Sequence, residues 1–75
     1  MPKTTRFSRL TLGQAIRRER ERLGLSQEDF AERANVHRTY ISSIELGKGS
    51  MGIEVAHALA YALGMKLSEL VRKAE

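Results

Sequence analysis

Seventy-five residues with two histidines and no cysteine make one small domain, without disulfides or thiolate metal sites, as suits a reducing cytosol. No run approaches the roughly 18 consecutive apolar residues of a membrane span and no apolar leader core is present, so neither a membrane partner nor export is expected. The formal charge of +4 and a pI near 10.0 suit a polyanion partner, and equally an ordinary soluble surface.

The charge is uneven. Lys3, Arg6 and Arg9 give residues 1–10 three bases and no acid, which leaves ten bases against nine acids in residues 11–75. Residues 1–10 therefore read as a basic arm, suited to DNA phosphates or a minor groove unless it is simply a frayed terminus. Residues 11–75 read as the folded domain. Thr11 with Gln14 forms a capping-box pattern that opens a first helix, with Leu10 placed as its staple. Leu12, Ala15, Ile16 and Leu23 are predicted to face inward, and Gly24 to stop the helix. Arg17, Arg18 and Arg22, interleaved with Glu19 and Glu21, read as a solvated face of mixed sign.

Ser26 is the next cap, with Asp29 three residues on and Leu25 and Phe30 in staple positions. Phe30, Ala31 and Ala34 share one face of a helix over about 27–34. Asn35 tolerates the left-handed conformation that ends a helix and turns the chain, and Val36 plugs the turn. A further helix begins near Arg38 with Ile41 and Ile44 inward and Tyr40, Ser42 and Ser43 outside. Two short helices joined by so tight a turn make a helix-turn-helix. His37, just before the second of them, is placed to cap it or to touch a phosphate.

Leu46-Gly47-Lys48-Gly49-Ser50 is a loop. It is not a phosphate loop of the G-x-x-x-x-G-K-[ST] kind, because Ser42 and Gly49 stand where Gly and Ser or Thr are required. A fourth helix over about 53–63 turns Ile53, Ala56, Leu59, Ala60 and Leu63 inward, starts at a Met51-Gly52 pair that caps poorly, and ends at Gly64. A short fifth helix with Leu67, Leu70 and Val71 closes the bundle, giving an all-α fold of five helices. Val55, Ala58, Tyr61 and Ala62 are left on the outer side of the fourth helix. With Met65, Val71 and Ala74 they suggest a self-association face.

Catalysis requires a constellation that this chain lacks. His37 and His57 lie on different helices with no second ligand at i+4, Asp29 serves as a capping partner, and Ser42 and Ser43 have no base. Neither an enzyme, a cofactor, a metal site nor a small-molecule ligand is expected.

Gln27, Ala31, Asn35, Val36, Ile41, Ile44 and Glu45 fit the pattern Q-x-x-x-A-x-x-x-[GN]-[VIL]-x-x-x-x-[IV]-x-x-[IL]-E. At these residues the chain resembles Cro/Xre-type repressors, and the likeness runs through Leu12–Leu70. The run His37–Ser42 is most similar to the controller proteins of restriction–modification systems. The resemblance implies base contacts from Arg38, Thr39 and Ser43 in the first half of the third helix. Arg can grip guanine O6 and N7, while Thr offers a hydroxyl and a methyl. It also implies phosphate contacts from Gln27 at the start of the second helix and from Lys48 and Ser50 in the loop, and a structural ion pair between Arg20 and Glu45. Tyr40 and Ser42 point to the flanks, within reach of phosphate. Leu46 and Met51-Gly52 depart from the family's usual Arg or Asn and Pro-Ser.

The sequence therefore predicts a lambda-repressor-like domain that binds double-stranded operator DNA as a homodimer, in the cytoplasm at the nucleoid, and regulates transcription. One recognition helix makes too few base contacts to select a genomic site, whereas a two-fold dimer on a palindrome doubles them. With no ligand domain, protein concentration would set occupancy, as in an autoregulated controller. The alternatives are an antitoxin that pairs with its toxin through the outer face of the fourth helix, and an interaction module of the same fold that does not bind DNA.

Overall fold

Ser8, not Thr11, opens the first helix. In the computed structural model, which describes residues 7–75, the Ser8 hydroxyl accepts from the Thr11 amide at 3.1 Å, and the Ser8 amide donates to Thr11 Oγ1 at 2.8 Å. The two form a reciprocal capping box in which Thr replaces the usual Glu or Gln. Helix α1 consequently runs Arg9–Arg22 and takes in Leu10, which is exposed and inside the helix instead of standing before it as a staple. Lys3 and Arg6 of the basic arm lie outside the described residues.

Four helices follow: α2 at Gln27–Ala34, α3 at Arg38–Glu45, α4 at Ile53–Ala62 and α5 at Leu67–Lys73. Among the described residues there is no strand. Ser26 caps α2 by accepting from the Asp29 amide at 3.0 Å. At the other end Asn35 takes the left-handed conformation with φ 59. The Val36 amide then reaches the Ala31 carbonyl at 2.9 Å and the Asn35 amide reaches Glu32 at 3.2 Å. This double closure satisfies carbonyls that the helix end leaves open and sets α3 across α2. By contrast, α4 starts at Gly52 with no side-chain cap.

The core collects Leu12, Ala15 and Ile16 of α1, Phe30, Ala31 and Ala34 of α2, and Ile41 and Ile44 of α3. Leu59, Ala60, Leu63, Leu70 and Ala74 complete it. Phe30, Ile16, Ile41, Leu59 and Leu70 are fully buried, each contributing about 1.5–3 kcal/mol through removal of apolar surface from water. Leu67 and Val71 are half-buried.

Three apolar residues stand on the opposite side from the one that the periodicity gives. Leu23 is 40% exposed and Ile53 75% exposed. Each sits at a helix end, Leu23 at the cap of α1 and Ile53 as the first residue of α4, where no adjoining turn continues the face. Ala74, read as part of an outer face, is buried in the core.

Helix α1 meets the end of α3 at backbone contact. A β-carbon on Gly13 would collide with the Ile44 carbonyl oxygen and press on the Glu45 backbone. Gly13→Ala is expected to cost about 1–3 kcal/mol through overpacking, despite the better helix propensity of Ala. A thermal melt checks this, and a variant as stable as the parent would mean that α1 can slide away from α3 at no cost.

Candidate nucleic-acid interface

The outer face of α3 is polar because its inner face is spent on the core. Ile41 and Ile44 are buried, and Arg38, Thr39 and Ser43 are exposed. Thr39 and Ser43 are one turn apart and so lie on one side of the helix. Arg38 stands beside Thr39 in the first turn. This face presents a guanidinium and two hydroxyls.

The residues flanking it differ in freedom. Ser42 and Tyr40 are half-buried, and the Tyr40 ring packs against the core with Val36 and Val55 close by. Burial pushes the Tyr40 hydroxyl above its ordinary pKa, so the phenol remains a neutral donor at physiological pH. His37 is the residue preceding α3, and its exposed side chain makes no capping bond.

A buried ion pair holds α3 from below. Arg20 Nε donates to Glu45 Oε2 at 2.6 Å and Nη2 donates to Oε1 at 2.9 Å, while Nη1 donates to the Leu25 carbonyl at 2.8 Å. The two side chains are only 10% and 3% exposed. Their hydrogen bond raises the guanidinium pKa further, against the opposing effect of burial. The half-buried Gln27 joins them, its Nε2 donating to Glu45 Oε1 at 3.1 Å. Glu45 therefore fixes α1, the start of α2 and the end of α3 relative to one another. The second amide hydrogen of Gln27 is not used in this network.

The loop after α3 exposes Lys48 and Ser50. The Lys48 amide is held by the Ser43 carbonyl at 2.9 Å. The loop is seated on α1: Arg9 Nη1 donates to the Gly49 carbonyl at 3.1 Å. A β-carbon at Gly47, where φ is +77, would lie 2.9 Å from Leu10 Cα. Gln27 is tied through Glu45 to the end of α3, and the Lys48 amide to Ser43, so the start of α2 and the loop stand beside the helix that exposes Arg38, Thr39 and Ser43.

The second candidate surface is the outer side of α4. Tyr61 is 79% exposed and packs its ring near His57 at a centroid distance of 6.5 Å. Ala58 and Val71 are half-buried, and Val55, Ala62 and Met65 pack partly on the core. Of the seven residues expected on this face, only Tyr61 stands clear of its own fold, and Ala74 is buried.

Two roles escaped the periodicity. Glu19 stands on a face that the sequence predicts to be solvated, yet it is buried, pairing with Arg22 Nε at 2.9 Å and Lys73 Nζ at 3.8 Å. Arg18 Nη2 adds a bond to the Lys73 carbonyl at 3.2 Å, so α1 holds α5 through polar contacts. The signal was present, since position 19 continues the Leu12, Ala15, Ile16 stripe. Gly13 likewise lies on the stripe that carries Ile16 and Arg20. Among the described residues no group of His, Asp or Glu could hold a metal ion, and no helix is long and apolar enough to cross a membrane.

Residues 16–70 match the family described as Helix-turn-helix. The chain is similar to the control protein C.BamHI of Bacillus amyloliquefaciens, with 36% identity over 64 residues covering 84% of this chain and 79% of that protein. Among solved structures it is similar to the restriction-modification controller protein C.AhdI from Aeromonas hydrophila. There the TM-score is 0.80 and the identity 32%, over 83% of this chain and 94% of the other. It is also similar to SinR, the master regulator for biofilm formation, solved in complex with DNA, with TM-score 0.72 and 30% identity over 79% and 95% of the two chains.

Proposed function

The chain belongs to the Xre-like helix-turn-helix family of transcriptional regulators and repressors, which are not enzymes, and from that premise we propose that it binds a palindromic operator as a homodimer, with α3 in the major groove. The observation that carries this reading is the exposed polar first half of α3, held from beneath by Arg20, Glu45 and Gln27. A reading helix needs both properties, because directional base contacts are lost when the helix can shift.

In this mechanism Arg38 takes a guanine edge, and Thr39 and Ser43 take neighbouring base edges. The free amide hydrogen of Gln27 meets a phosphate at the N-terminus of α2, where the helix dipole favours an anion. Lys48, Ser50, the neutral Tyr40 hydroxyl, Ser42 and His37 meet the flanking backbone. Lys3 and Arg6 supply further positive charge to the duplex. The likeness to two controller proteins supports autoregulation at the chain's own promoter, inside the cytoplasm at the nucleoid. The exposed Arg38 and Lys48 favour DNA over a module that binds protein alone.

Selection of bound duplexes from a random pool tests the reading, and recovery of one palindromic motif is the expected result. With that site in hand, Arg38→Ala should weaken operator binding by about 1–3 kcal/mol and relax preference at one base pair. Lys48→Ala should weaken operator and scrambled duplex about equally and flatten the salt slope by about one unit. Equal loss on both duplexes for Arg38→Ala would remove it from the base-reading set.

A further inference from the structure

We propose that Arg9 is a positioning residue for DNA-backbone binding: it holds residues 47–50 against the first turn of α1 so that Lys48 meets its phosphate in register. The inference rests on the DNA-binding reading above and adds a residue from outside the helix-turn-helix.

Gly47, Lys48 and Gly49 make a segment with wide backbone freedom, since glycine populates positive and negative φ alike, and both glycines stand at positive φ. Left alone, such a loop would have to be ordered when it meets DNA, and that ordering opposes binding. The structure orders it beforehand at three points. The Lys48 amide is bound to the Ser43 carbonyl at 2.9 Å. Gly47 lies against Leu10, so closely that a β-carbon there would approach Leu10 Cα to 2.9 Å. The Gly49 carbonyl accepts from Arg9 Nη1 at 3.1 Å, across 40 positions of sequence. The first tie comes from α3 and the other two from consecutive residues of α1. Lys48 sits between them with its side chain exposed. Downstream the chain enters α4 without a side-chain cap, so the hold from α1 is not duplicated by a cap at that end. Met51 packs against the core at the far end, so the Arg9 bond is what ties the two residues between Lys48 and that anchor to α1.

The consequence is energetic coupling between Arg9 and Lys48. Arg9→Gln, Lys48→Ala and the double variant of the full chain are titrated with a random-sequence DNA duplex across a sodium chloride series. Arg9→Gln is expected to weaken binding and remove most of the one unit of salt slope that Lys48 supplies. Lys48→Ala added to Arg9→Gln is then expected to change affinity by less than about twofold, because neighbours that act through one another are not additive. In the free protein, the backbone order parameters of Gly49 and Ser50 are expected to fall in Arg9→Gln while the melting temperature holds. Additive losses, each with its own unit of slope, would make Arg9 a phosphate contact and overturn the positioning role. Parent-like binding or unchanged order parameters at Gly49 would overturn it as well. If the parent chain bound no duplex at all, the DNA-binding reading would fail first and the inference with it.

Discussion

Arg20→Ala is expected to lower the stability of the fold by about 3–5 kcal/mol, the usual cost of removing one partner from a buried ion pair. The loss is large because three hydrogen bonds go together and two acceptors are stranded. Glu45, with a side chain 3% exposed, keeps only the Gln27 amide as a partner, and the Leu25 carbonyl loses its donor. A carboxylate left in that position has neither water nor a counter-charge. At about 4–8 °C per kcal/mol for a domain of this size, the melting temperature should fall by more than about 12 °C. Arg20→Lys should rescue little, since an ammonium cannot make the two parallel bonds to Glu45 and the third to Leu25. The contrast is Arg17→Ala on the same helix. The Arg17–Glu21 pair is 3.1 Å long but its side chains are 60% and 53% exposed, so it should contribute no more than about 0.5 kcal/mol. Thermal melts of the three variants decide the matter. An Arg20→Ala melt within a degree or two of the parent would mean that water reaches Glu45 freely.

That pair also shows where the sequence is informative. Ser26, Asp29 and Asn35 announce their roles through local chemistry, because a hydroxyl cap and a left-handed Asn act within four residues of themselves. The apolar stripes of α2 and α3 are likewise local, and together they give the helix-turn-helix without reference to the rest of the chain. The ends of α1 and α4 are less legible. A Thr at the third helical position hid the Ser8 cap, and periodicity could not tell that Leu23 and Ile53 stand past the last covering turn. Least legible are contacts between elements far apart in sequence. Nothing near Gly13 announces the Ile44 carbonyl pressed against it, and nothing near Arg9 announces Gly49. Glu19 is the intermediate case: its spacing places it on the inner stripe, but its charge argues for solvent until Arg22 and Lys73 are seen to neutralise it. The outer face of α4 divides in the same way. Composition marks Val55, Ala58, Tyr61 and Ala62 together, whereas the fold already covers part of Val55 and Ala62 and leaves Tyr61 standing free.

Tyr61→Glu is expected to give a folded monomer that has lost its operator. The substitution should leave the fold intact, since Tyr61 is 79% exposed and Glu is a good helix former. In a two-fold contact built on the proposed outer face of α4, however, each residue faces a patch that contains its own copy. A charge placed there acts twice, removing two aromatic anchors and adding two carboxylates to an interface with little else exposed to bind. The monomer retains Arg38, Thr39, Ser43 and the phosphate contacts, so weak binding to a single half-site should survive. What disappears is the gain from joining two half-sites, which for linked sites runs to roughly 10²–10⁴-fold. Those half-sites should lie about one helical turn apart, roughly 10 base pairs between centres, so that both recognition helices enter one face of the duplex. Sedimentation at micromolar concentration, paired with titration of full and half operators, separates the possibilities. A variant that sediments as a dimer as tight as the parent would place the contact away from α4, with α1 or the N-terminal residues the next surfaces to alter. A clean monomer that still bound the full operator like the parent would instead show that one copy of α3 reads the site unaided.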